Sequence, residues 1–208
     1  MKEFFLQIVN LSTSIGLDIF LGELAVVGLV VWFWFKKGLP SFRFLYWLTG
    51  AYLILFLVQG GFYTYSTYLG WLSSPVSRYL LPPYNNWYFF SYSGFRFFLP
   101  LAVSLVAALV WWGILIILKK RSDGLWLDSS EAAVGLLTAF LVGWPNILVY
   151  WAVLFSLMVW RLAVANLRRQ TDFRLAITWP MIIATLFTLA LGAWLLQSVG
   201  LGVLKVVG

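Results

Sequence analysis

Seven carboxylates carry whatever acid–base chemistry this chain can do: Glu3, Asp18, Glu23, Asp123, Asp128, Glu131 and Asp172. The chain has no cysteine and no histidine. That excludes disulfides, thiol nucleophiles, Cys- or His-ligated metal sites, axial haem histidines and the Ser-His-Asp triad. No GxGxxG, P-loop or metal-ligand cluster is present, so no cofactor is expected. An ionisable group inside lipid is expensive and therefore a functional candidate. Glu23 meets that description, one to two turns into the first apolar stretch and next to Gly22, which admits a ligand or another helix. Asp18 stands five residues earlier, where a first-turn acid favours the helix dipole. For Glu23 the alternatives are water nearby, a pairing with Arg96, or a bound ligand or helix. Asp128-Ser129-Ser130-Glu131 precedes an apolar run and reads as a helix start. Asp128 or Ser129 caps free backbone N–H groups and Glu131 reaches back in a capping box.

These residues need elements to hold them, and composition says which. Of the 208 residues, 62% are hydrophobic and 10% charged, against roughly a quarter charged in a soluble domain. One small core cannot hide that much apolar surface, so lipid must cover the rest. A spanning helix needs about 20 mostly apolar residues. Candidate spans are 17–35, 43–60, 97–118, 145–164 and 175–198. The stretch 131–142 is too short to span without its flanks. Gly143-Trp144-Pro145-Asn146 breaks the pattern, which predicts two helices, 128–142 and 145–164, joined by a tight turn. The expected fold is all-α and polytopic, a single transmembrane domain over 1–208 with about six helices, or five if 128–164 is one kinked helix.

The basic residues orient this arrangement. Lys36, Lys37, Arg43, Lys119, Lys120, Arg121, Arg161, Arg168, Arg169 and Arg174 fall on one side; Lys2, Arg78, Arg96 and Lys205 fall on the other. Positive residues favour the cytoplasm, which predicts an integral membrane protein with both termini outside. The net charge of +7 then reads as a topology signal and anionic-lipid contact, not a nucleic-acid surface. Segment 60–94 is rich in Tyr, Trp and Phe. Its glycines, prolines and serines predict an aromatic extracytoplasmic cap near the headgroups rather than a span. The N-terminal apolar stretch, broken by Asn10, Ser12, Thr13 and Ser14, does not read as a secretory signal. Residues 4–16 read as a short interfacial helix, and Asn10-Leu11-Ser12 matches a glycosylation acceptor, a pattern common by chance.

The stretch LDSSEAAVGLLTAFLVGW, Asp128 to Trp144 with its leading leucine, resembles type IV prepilin peptidases and their archaeal preflagellin relatives. In that family a Gly-x-Gly-Asp-x-Lys motif opens a short Leu-, Ala- and Gly-rich helix that ends in Gly-Trp. Gly143-Trp144 falls at the matching distance when Glu131 takes the aspartate position. ANLRRQTDFRLAITWPMIIATLFTLALG resembles the family's basic loop and proline-containing final helix, with Pro180 at the proline. Lys36-Lys37-Gly38-Leu39-Pro40 resembles the loop that follows the family's other aspartate. That position is Phe33 here, flanked by Trp32 and Trp34, and none of the three ionises. Both motif glycines are replaced, by Asp128 and Ser130, and the lysine by Ala133. The resemblance implies a bacterial or archaeal cytoplasmic membrane and an aspartyl protease site built on Glu131; Asp128 or Asp123 could supply a second cytoplasmic carboxylate, though their spacing does not match the family's arrangement on two different helices. Such chemistry needs two carboxylates sharing a proton, so a lone Glu131 implies a catalytically inactive relative.

Three functions follow as expectations. The first is a prepilin-peptidase-like protein, divergent or inactive, that acts on or binds pilin-like leader helices. The second is a non-enzymatic subunit of a larger membrane complex. Thirteen tryptophans and eighteen phenylalanines offer large contact surfaces, and Gly135, Ala139 and Gly143 at four-residue spacing allow close helix approach. The third is a small-solute transporter or binding subunit that uses Glu23 and the aromatic cap.

Overall fold

A computed structural model describes residues 22–32, 38, 40–84, 86–121, 127–167 and 177–200. Among these there is no strand. Helix α1 is Gly22–Trp32. Helix α2, Phe42–Ser73, follows Pro40 and starts at Ser41, whose Oγ accepts from the Phe44 N–H at 3.4 Å. A short 3₁₀ turn, Ser77–Leu80, leads to α3, Asn86–Ser93. One π-helical turn, Gly94–Phe98, joins α3 to α4, Leu99–Arg121. Then come α5, Ser129–Val142, α6, Ile147–Leu167, and α7, Thr178–Ser198.

Among the described residues four helices are long and apolar enough to cross a membrane: Phe42–Ser73, Trp87–Arg121, Ile147–Leu167 and Thr178–Ser198. The chain is an all-α membrane protein. Helices α1 and α5 are apolar but shorter. At about 1.5 Å per residue, the 14 residues of α5 reach about 21 Å, short of a roughly 30 Å hydrocarbon core. Span 17–35 is seen only as α1, and residues 4–16 lie outside the described part.

Segment 60–94 departs from the expectation. The helix expected over 43–60 continues unbroken through Gly60-Gly61 to Ser73. Its 32 residues make about 48 Å, well beyond the hydrocarbon thickness. A mid-helix glycine costs about 1 kcal/mol relative to alanine, but at Gly60 it makes room for a neighbour. A Cβ there would lie 3.1 Å from Phe98 Cε1. Thr64 and Thr67 donate back to the carbonyls of Gly60 and Tyr63, each at 2.8 Å, so these hydroxyls are satisfied inside the helix. The returning α3 runs antiparallel to the end of α2 and is laced to it by rings. Trp71 lies 5.0 Å from Tyr92 and 5.7 Å from Phe89, centroid to centroid, and Tyr63 stacks on Phe97 at 5.7 Å. The aromatic segment is a helical hairpin extension, and the helix end expected at residue 60 is absent.

Helix α5 is the centre. All of its residues from Glu131 to Val142 are buried, packed by α2, α4 and α7. The small residues explain how α4 comes so close: a Cβ on Gly135 would lie 2.3 Å from Leu115 Cδ1 and 3.2 Å from Met181 Cε. The Gly135–Gly143 face is therefore used within the chain and is not left for another subunit. The predicted break is present. Gly143 adopts φ 65°, a left-handed conformation that glycine reaches without strain, and the Trp144 N–H donates to Ser104 Oγ at 2.8 Å. Pro180 sits in the first turn of α7, where no intrahelical N–H bond is lost.

Contacts fix which ends coincide. Trp112 Nε1 donates to Tyr46 Oη at 3.0 Å, bringing the start of α2 beside the end of α4. Lys119 Nζ donates to Ser129 Oγ, placing the start of α5 there too. Helix α6 returns antiparallel to α5, which carries Arg161 to the same end. So Arg43, Lys119, Lys120, Arg121 and Arg161 share one end of the bundle, and Arg78 and Arg96 lie towards the other. For these residues the partition expected from sequence is present.

Candidate functional site

Two carboxylate sites stand at opposite ends of α5. At its N-terminus, Asp128 is extended (φ −92°, ψ 164°) and caps the helix. Its Oδ1 accepts from the Ser129 N–H at 2.6 Å, and its side chain also accepts from the backbone N–H of Glu131. In return, Glu131 Oε2 accepts from the Asp128 N–H at 3.0 Å. This is the reciprocal capping box expected from the sequence. A negative group here also meets the positive end of the helix dipole.

What sequence reasoning did not contain is the second half of Glu131's environment. Thr178 Oγ1, at the start of α7, donates to Glu131 Oε1 at 3.2 Å. Glu131 is only 3% exposed and Thr178 is 1% exposed. Each carboxylate oxygen thus accepts one internal hydrogen bond, and the side chain ties the N-terminus of α5 to that of α7. No local pattern announces Thr178, which lies 47 positions away. The available signal was a hydroxyl at the beginning of an apolar run.

Glu131 and Asp128 therefore come together, but as two halves of one helix cap. An aspartyl-type reaction needs a carboxylate with a free lone pair facing a water molecule, beside a second one in proton-sharing reach. The exposed Asp128 is committed to backbone N–H groups. Phe33, Trp34, Asp18, Asp123 and the other acids at Glu3 and Asp172 lie outside the described residues. Among the described residues no group of three or more His, Cys, Asp or Glu side chains is placed to hold a metal ion.

At the other end of α5 lies a cavity of about 300 Å³. Helices α1, α2 and α4, the π turn and the C-terminus of α5 enclose it. Glu23, Gln59, Tyr63, Arg96 and Ser104 supply its polar side chains. The partly buried Glu23 is held by Tyr52, whose hydroxyl donates to Oε1 at 2.9 Å. Tyr52 in turn meets Phe140 of α5 edge-on at 5.7 Å. Arg96 lies over the Tyr92 ring at 5.8 Å. Glu23 and Arg96 line the same cavity, as their expected pairing required, yet no ion pair joins them within 4.0 Å. Tyr52 was not legible as a partner, because a tyrosine in an apolar helix reads as an interfacial ring first. Compared with protein-family models, curated proteins and solved structures, the chain matches none.

Proposed function

We propose that this chain is a multi-pass membrane protein that binds a partner helix in the bilayer and does not cut it. The supporting observation is the state of Glu131, with both oxygens engaged by the Asp128 N–H and the Thr178 hydroxyl. A carboxylate used in this way holds two helices together and, at 3% exposure, turns almost no surface to a water molecule. The partner implied by the resemblance over Asp128–Trp144 is a pilin-like leader helix, which an inactive relative would bind. The alternative partner is a helix of another membrane subunit. On this reading the basic end of the bundle faces the cell interior.

The packing of α6 supports this reading. Helix α6 packs mainly on α7 and little on α5, which leaves a groove of about 570 Å³ lined by Leu148, Ala152, Ser156, Phe187 and Leu195 among others. Ala152 and Ser156 are exposed and four residues apart, the spacing at which small side chains let helix backbones approach in lipid. The chain has no native cysteine, so single-cysteine variants report without background. Ala152→Cys should cross-link to a cysteine in the apolar half of a co-expressed pilin leader helix. Trp47→Cys, at a position 79% exposed on α2, should not. Equal cross-linking at both positions, or none at Ala152→Cys, would reject the pilin-helix reading.

A further inference from the structure

We propose that the cavity bounded by Glu23 and Arg96 binds a zwitterion, with its primary ammonium on Glu23 and its oxyanion on Arg96. The inference is independent of the helix-binding function. It begins with two opposite charges that share one cavity without meeting. Charged groups at a membrane-embedded cavity are costly unless paired. Glu23 Oε1 accepts from Tyr52, while Oε2 takes no hydrogen bond among the described residues. Arg96 contributes a fork of five N–H donors suited to phosphate or carboxylate, and its guanidinium lies over the Tyr92 ring. A molecule carrying both complementary charges satisfies both residues together. A simple cation or anion would leave one of them without a counter-charge.

Two further observations support a ligand here. The first is local backbone. Arg96 sits in the middle of the π turn Gly94–Phe98, within an otherwise α-helical rod of 35 residues. Single π turns inside α-helices occur frequently at functional sites. This one is packed in place by Phe98 over Gly60 and Phe97 on Tyr63. The second is size. A volume of about 300 Å³ equals the liquid share of roughly ten waters at about 30 Å³ each. That places it at the lower end of small-ligand pockets. A small zwitterion, or a zwitterionic headgroup, is of the size such a space holds. Gln59 and Tyr63, linked at 3.3 Å, add neutral donors and acceptors at the wall. The Ser104 hydroxyl is already used, donating to the Pro100 carbonyl and accepting from Trp144.

The same chemistry occurs on an ethanolamine phospholipid headgroup and on free phosphoethanolamine. The test uses the full chain in mild detergent. Lipid binding is read by native mass spectrometry with phosphatidylethanolamine, phosphatidylcholine or phosphatidylglycerol added singly. Thermal stabilisation by free phosphoethanolamine is read alongside. The wild type should bind the ethanolamine ligand at one site at least tenfold more tightly than the choline lipid, which lacks ammonium N–H donors, or the glycerol lipid, which lacks the cation. Glu23→Gln, which keeps an acceptor for Tyr52, should abolish the preference for ethanolamine over choline. Arg96→Gln should weaken binding of the ethanolamine ligand at least tenfold. Arg96 is exposed, so this variant remains informative if Glu23→Gln folds poorly. Stabilisation by free phosphoethanolamine as strong as by the lipid identifies a soluble ligand; binding of the lipid alone identifies a headgroup site. Equal binding of all three lipids by the wild type, no binding of either ethanolamine form, or wild-type affinity in Arg96→Gln would overturn the proposal.

Discussion

Replacing Glu131 with alanine removes an acceptor from two donors at once. The Asp128 N–H loses a charge-assisted bond, a class worth about 1.5–3 kcal/mol. The Thr178 hydroxyl loses a buried partner, and side-chain hydrogen bonds between membrane helices contribute about 0.6 kcal/mol on average and up to about 1.7. The helix also loses a negative group at its N-terminus, about 0.3–1 kcal/mol. These terms overlap and do not simply add, so the expected loss is about 3 kcal/mol. At roughly 2–4 °C per kcal/mol for a chain of this size, the unfolding midpoint should fall by roughly 6–12 °C. Glu131→Gln behaves differently. Its amide oxygen can still accept from the Asp128 N–H, and its NH₂ can donate to Thr178 Oγ1. The loss should stay near 1 kcal/mol, the net scale of one neutral hydrogen bond. Thermal unfolding of the purified chain in one detergent, with SDS titration as a second axis, measures both variants. An alanine variant within about 0.5 kcal/mol of wild type, the range of an ordinary surface substitution, would refute the structural role given to this carboxylate.

Other substitutions test the packing around α5 and the cavity. Gly135→Ala places a methyl 2.3 Å from Leu115 Cδ1, and because Leu115 is itself buried the variant should lose about 1–3 kcal/mol in the same melts. Tyr52→Phe keeps the ring on Phe140 but removes the donor to Glu23, with an expected loss of about 1–2 kcal/mol by SDS titration; no change would show that this bond is not formed. Ser104→Ala strips the Trp144 N–H of its acceptor at the α5–α6 turn, and about 1 kcal/mol or more should be lost, with faster amide exchange at Trp144 as the local readout.

Features set by neighbouring residues were readable from the chain. Asp128 and Glu131 announced a cap because both partners lie within one turn, and Gly143–Asn146 announced a break because proline and glycine act on their own backbone. The four long helices were visible because lipid imposes a length on apolar runs. What depends on a distant surface was not readable. Gly60-Gly61 looks like a helix end, and only Phe98, far along the chain, shows why a small residue there strengthens packing. The Gly135, Ala139 and Gly143 spacing correctly signals close approach, but it does not say that α4 within the same chain is what approaches. Glu23 stood out as an expensive charge, whereas its tie to Tyr52 and its separation from Arg96 follow from how α1, α2 and the π turn come together. Thr178 escaped notice for the same reason: a single hydroxyl carries no address.

The most direct measurement is cleavage itself. The purified chain, reconstituted into lipid nanodiscs, is mixed with a prepilin that keeps its leader, and the product is followed by mass spectrometry, with Glu131→Gln in parallel. A buried carboxylate held by Asp128 and Thr178 predicts an intact leader with both proteins. Leader removal by the wild type that disappears in a folded Glu131→Gln variant would contradict the account.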